Sequence, residues 1–135
     1  MRAAALFFFY LYAASLVVFG GAGVFTARLD QHLLYNLDTS GLPAPTSASL
    51  LSQYRFFRAV ECGFGAFALV FREAIFRERP FNRIFLATML GGVAARAISL
   101  AADGRPYPVF YGFLATELVG GALIFLYSRT TLRTA

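Results

Sequence analysis

The chain has no lysine and no tryptophan, one cysteine (Cys62) and one histidine (His32). A single thiol excludes an internal disulfide framework and a multi-cysteine zinc or iron–sulfur centre. A single imidazole excludes a bis-histidine haem pocket supplied by one chain. Charge is scarce too. Charged residues make up 14% and hydrophobic residues 59% of the 135 positions, against about 25% and about 45–50% in average soluble domains. With a mean hydropathy of +0.63, this balance excludes intrinsic disorder and argues against an ordinary soluble domain. Also missing are a Ser–His–Asp or Cys–His set, a paired acid motif in a loop, and a glycine loop that could cradle phosphate. The stretch Gly20-Gly21-Ala22-Gly23 lies inside an apolar run, and Cys62 sits in one as a small packing residue. No catalytic residue, cofactor or metal site is therefore expected.

What is present is arginine set between long apolar runs. All twelve basic residues are arginine, and the net charge is +5 with a pI near 9.9. Clustered cations on a soluble protein would point to nucleic acid. These arginines form no basic stripe with interleaved aromatics, so nucleic acid is excluded as a partner and the charges are read as membrane topology.

The first run, Ala3 to Ala27, is uncharged over 25 residues. At about 1.5 Å per residue it reaches about 37 Å, enough to cross a hydrocarbon core of about 30 Å with some tilt. It is much longer than the apolar region of about 7–15 residues in a secretory leader, so a retained span is expected. Spans are expected at about 3–27, 50–76, 84–102 and 107–128. They make residues 1–135 one all-α domain, an integral membrane four-helix bundle.

The connections carry their own signals. Leu29, Leu33 and Leu37 recur every four residues, with Asp30, Gln31 and Asn36 off that line. The pattern predicts a short interfacial helix in the first external loop, with His32 as a surface residue. Thr39-Ser40-Gly41-Leu42-Pro43 ends it, and Thr46 or Ser47 is the expected cap of the next helix. Arg72 to Arg83 forms a basic link with Pro80 as breaker. Asp103-Gly104-Arg105-Pro106 is a tight turn in which Gly104 takes unusual dihedrals and Pro106 starts the last helix. Seven arginines fall at the N-terminus, the Arg72–Arg83 link and the C-terminal tail, and three on the other side. Positive charge favours the cytoplasmic side, so both termini are expected inside.

Four charges lie within the spans: Arg58, Glu61, Arg96 and Glu117. Charges at a helix centre cost about 2.5–3.5 kcal/mol each on insertion scales, so they require partners. Their depths from the outer ends are about 6, 10, 9 and 15 Å, all in the outer half of the bilayer. Arg96 is expected to bridge Glu61 and Glu117, with Arg58 completing the cluster. Two readings stay open: a charge-neutral clamp between helices, or an outward-facing polar site for an anionic head group, a small substrate or a proton.

Helices in lipid associate through close packing of small residues. Ala87, Gly91, Ala95 and Ser99 recur every four residues on the third span, and Ala59 with Gly63 and Thr116 with Gly120 offer similar surfaces. These are expected helix-packing positions, within the bundle or against another chain.

The fragment Gly91-Gly92-Val93-Ala94-Ala95-Arg96-Ala97-Ile98-Ser99, the turn Asp103-Gly104-Arg105-Pro106 and the following helix with Glu117 carry a resemblance. So does Tyr54-Arg55-Phe56-Phe57-Arg58-Ala59 leading to Gly63 and Gly65. Together they resemble the small four-helix bacterial membrane proteins grouped as domain of unknown function 4345, themselves distantly similar to DoxD/DoxX-like proteins. The resemblance runs from about Tyr54 onward and implies a four-helix bundle in a bacterial plasma membrane, with no established activity. Three roles follow. The first is a structural or accessory subunit of a membrane assembly, whose partners are lipids, other membrane chains or a second copy. The second is a carrier for a lipid, quinone or other amphiphile, anchored at the Arg/Glu cluster. The third, from the resemblance, is a DoxX-like component of a membrane redox enzyme.

Overall fold

A computed structural model describes residues 1–132, and every regular element among them is helical. Helix α1 spans Arg2–Phe25, α2 Ala27–Tyr35, α3 Ala44–Val70, α4 Arg72–Arg77, α5 Arg79–Ala102 and α6 Pro108–Thr131. A single 3-10 turn, Thr39–Gly41, stands between α2 and α3. Helices α1, α5 and α6 are long and apolar enough to cross a membrane. At 27 residues, or about 40 Å, α3 also has the length. Every crossing-length stretch of it, however, includes Arg55, Arg58 and Glu61.

Several boundaries differ from the sequence expectation. Helix α3 starts at Ala44 instead of after a Thr46 or Ser47 cap, because Pro45 in the first turn lacks only an N–H that would have had no partner. It ends at Val70, and Phe71 (φ −96°, ψ 20°) separates it from α4, which buries Ile75 and Phe76. Pro80 does not break the chain. It lies in the first turn of α5, after an extended Glu78 (φ −123°, ψ 125°). Likewise Pro108, not Pro106, opens α6. In each case proline is accommodated where its missing donor costs nothing. At the turn after α5, Asp103 caps the helix, its carboxylate accepts from the Ser99 hydroxyl at 2.7 Å, and Gly104 takes φ +96°. A side chain is strained at such a φ.

The chain divides into two compact units, Met1–Tyr12 with Ala68 onward, and Ala13–Phe67. The first has an aromatic centre. Phe9 is fully buried, with ring centroids 5.1 Å from Phe76 and 5.3 Å from Phe85, and Phe76 meets Tyr127 at 5.4 Å. Ile75, Met89 and Ile124 complete the buried set. Buried Asn82 donates from Nδ2 to the Ile75 carbonyl at 2.9 Å, and Thr131 donates to the Phe76 carbonyl at 2.8 Å. Those two bonds satisfy carbonyls at the end of α4 that have no helical partner.

The second unit rests on close approach of α1 and α3. A Cβ at Gly20 would fall 2.6 Å from the Cys62 nitrogen and 2.8 Å from the Arg58 carbonyl oxygen; one at Gly65 would fall 2.7 Å from the Ala13 oxygen. Only hydrogen fits at these two crossings. Ala27, Leu51 and Tyr54 form the buried cluster beside them. Asp38 caps the 3-10 turn, accepting from the Ser40 amide at 2.8 Å and its hydroxyl at 2.7 Å. These hydrogen bonds to the charged form hold its carboxyl below the usual aspartate range.

Candidate functional site

Each unit holds ion-paired charged groups. In the second unit they are built on α3, where Tyr54 and Arg58 lie one turn apart on the same face. Arg58 donates from Nε to the Tyr54 hydroxyl at 2.7 Å, its Nη2 pointing to the same oxygen. Its Nη1 donates to Glu61 Oε2 at 2.8 Å, an i, i+3 pair. The Tyr54 hydroxyl in turn donates to Asp30 Oδ2 at 2.8 Å. Asp30 is held from its other oxygen by the Thr26 hydroxyl at 2.9 Å. Arg58 and Asp30 stand 3.9 Å apart, so Tyr54 relays between them.

Local sequence makes room for this cluster. A Cβ at Gly23 would fall 2.8 Å from the Arg58 side chain, which lies directly over it. Arg55 donates to the Val24 carbonyl at 3.2 Å, partnering one of the last carbonyls of α1. A cation there also opposes the negative end of the helix dipole. Thr26 breaks α1 from α2 and turns Asp30 inward, while Ala27 and Gln31 are buried beside it. Leu29 and Leu33 on the opposite line are exposed, as is His32.

The other cluster joins α5 to α6. Arg96 donates from Nε to Glu117 Oε2 at 3.0 Å and from Nη2 to Oε1 at 3.3 Å, a two-pronged pair. The Glu117 side chain is only 13% exposed and that of Arg96 33%. The guanidinium also faces Phe110 and Phe113, with ring centroids at 5.9 and 5.5 Å, distances at which the ring quadrupole attracts a cation. Glu117 lies against Gly92, where a Cβ would stand 3.7 Å from Oε2.

All four expected residues are thus paired, in two sets. Arg96 has Glu117, and Glu61 has Arg58. The expected link from Arg96 to Glu61 would join residues of different units, and it stays a proposal. Asp30, Tyr54 and Thr26 were not anticipated as members. The i, i+4 spacing of Tyr54 and Arg58 was a legible signal, and so was the position of Asp30 off the leucine line. Their meeting was not legible, because Asp30 and Tyr54 are 24 residues apart in sequence.

Of the expected packing positions, Gly120 is enclosed: a Cβ there would stand 3.2 Å from Met89 and 3.2 Å from Phe8. Within their own units, Cβ atoms at Gly63 and Gly91 would meet nothing, and Ala95 and Ser99 are exposed. Close approaches also occur at Gly20, Gly65 and Gly121, the last facing Leu90.

The family model described as domain of unknown function (DUF4345) matches residues 4–128. The chain belongs to the DUF4345 family. The match includes α1, where the sequence resemblance carried only apolar character, and both charged clusters. No curated protein and no solved structure matches the chain.

Proposed function

We propose that this DUF4345 protein is a small non-catalytic interaction subunit of a membrane assembly. The observation that carries the reading is closure of the polar groups: Arg58, Glu61, Arg96 and Glu117 already take one another as partners. A site awaiting a ligand would leave a charged head aimed at open space. Paired charges instead act as clamps that select helix faces, and the surface left outward is apolar and small. Leu118, Val119 and Leu126 of α6 are exposed, as are Gly91, Ala95 and Ser99 of α5.

In this reading α3 is the fourth span, its Arg58–Glu61 pair lowering the cost of carrying charge into the bilayer. Both termini lie on the cytoplasmic side of a bacterial plasma membrane. Support comes from the arginine distribution, of which Arg133 lies outside the described residues. Helix α2 lies at the outer interface with Leu29 and Leu33 in lipid, and Asp30 turned to the protein supports this.

A second reading, an amphiphile-binding protein anchored at Arg96, draws on the one-third exposure of that side chain and the two aromatic rings its guanidinium faces. A DoxX-like part in a redox enzyme would need its redox group from another chain. Native mass measurement of the protein extracted in mild detergent tests the first reading. An assembly heavier than the 14.8 kDa chain, with whole-number stoichiometry and lost in Gly91→Leu, is expected. A lone chain unaffected by that substitution overturns it, and a small molecule retained by wild type but not by Arg96→Gln favours the second reading.

A further inference from the structure

At the α4 end of the first unit, α5 and α6 enclose a groove of about 480 Å³ lined by arginine at one end and apolar side chains along its length. Arg79 and Arg83 lie one turn apart on α5 and are exposed. Among the described residues neither has a carboxylate partner; nearby Glu73 and Glu78 pair with neither. Leu86, Ala87 and Leu90 continue the same face of α5, and Phe125 forms the wall from α6. From residue 79 to residue 90 the face runs about 16 Å, a length suited to an extended acyl segment.

Two further features put positive potential at the arginine end. No side chain caps the start of α5, so first-turn amides and the positive end of the helix dipole are directed there. Arg129 lies over the Phe125 ring at 5.5 Å, adding a third cation on the α6 side. Arg58 and Arg96 are neutralised by carboxylates. Among the described residues, this group is not.

We propose that an anionic phospholipid of the surrounding bilayer docks in this groove, with its phosphate held by Arg79 and Arg83 and an acyl chain along Leu86, Leu90 and Phe125. Charge complementarity selects the head group, since Arg79, Arg83 and Arg129 have no carboxylate partner among the described residues and arginine offers paired donors to phosphate. The apolar floor selects an amphiphile over a free anion. Leu86 is 7% exposed and anchors the floor, whereas Leu90 at 37% and Phe125 at 43% present open apolar surface to a chain. The site is separate from the Arg96 pair, and it stands whether the protein acts alone or as a subunit.

The test uses the full-length chain, stripped of lipid in mild detergent and titrated with short-chain phosphatidylglycerol, phosphatidylcholine or glycerol phosphate. Phosphatidylglycerol should bind about tenfold or more tightly than phosphatidylcholine. The double variant Arg79→Gln, Arg83→Gln should lose that preference. A charge-matched control, Arg28→Gln with Arg105→Gln, should keep it. Ala87→Trp, which fills the groove without changing charge, should weaken phosphatidylglycerol binding by a similar factor. Four results would each overturn the proposal: the preference persisting in the double variant, its equal loss in the control, no effect of Ala87→Trp, or glycerol phosphate competing as well as the lipid.

Discussion

Arginine in an apolar helix is tolerable only when its donors are met, and the two clusters meet them differently. Arg96 hands both prongs to one carboxylate on the neighbouring helix. Arg58 divides its donors between Glu61 on its own helix and the hydroxyl of Tyr54, which passes the interaction on to Asp30. The α5–α6 pair lends itself to a clean test. Removing one member strands the other in a region of low dielectric, whereas removing both leaves apolar surface that lipid accepts. Arg96→Leu and Glu117→Leu should each lower unfolding stability in detergent by about 2–3 kcal/mol. The double variant should lose much less than the sum. Additive losses in a denaturation series would show that the two side chains do not depend on each other. The charged residues and their need for partners were legible from composition and depth. Tyr54 as relay was not, because its role depends on Asp30 arriving from another helix.

At the level of the helix, glycine decides how closely α1 and α3 run. Only hydrogen fits at Gly20, since backbone atoms of α3 occupy the space a Cβ would take. Gly63 faces open space within its unit, so a methyl group there adds helix propensity without a clash. Gly20→Ala should therefore cost about 1–3 kcal/mol by forcing the helices apart, while Gly63→Ala should be neutral or stabilising by up to about 1 kcal/mol. Thermal unfolding of the two variants side by side checks the contrast, and equal losses would contradict the packing described here. Both glycines look alike in sequence, each in an apolar run beside small neighbours. The spacing of small residues on α5 has the same limit: periodicity marks a smooth face but not what lies opposite. Helix ends were affected similarly. Pro80 read as a breaker and Pro106 as the start of the last helix, yet Pro80 sits in the first turn of α5 and Pro108 opens α6, where a proline continues a helix without loss.

For the molecule as a whole, the question is how many times the chain crosses. Three helices qualify by length and apolar character, and α3 is the proposed fourth. Thiol accessibility tests this directly in a Cys62→Ala background. A cysteine at Ser40 should react in intact cells with a membrane-impermeant maleimide, and one at Glu73 only after lysis. Reaction of both from outside would mean that α3 does not cross, and reversed labelling would invert the orientation.

Composition and the spacing of charges determined that this is a helical chain suited to a membrane, because charge is scarce, one uncharged run reaches 25 residues, and a helix satisfies its backbone polar groups internally in lipid. Position along the chain determined where α2 and the Asp103–Gly104 turn would form, since amphipathic spacing and glycine dihedrals act over a few residues. Only the tertiary structure decided which charges meet, which glycines are enclosed and which arginines border an apolar groove. Those outcomes depend on side chains 20 or more residues apart sharing a few cubic ångströms of space, and no local pattern encodes which of several equivalent neighbours will arrive there.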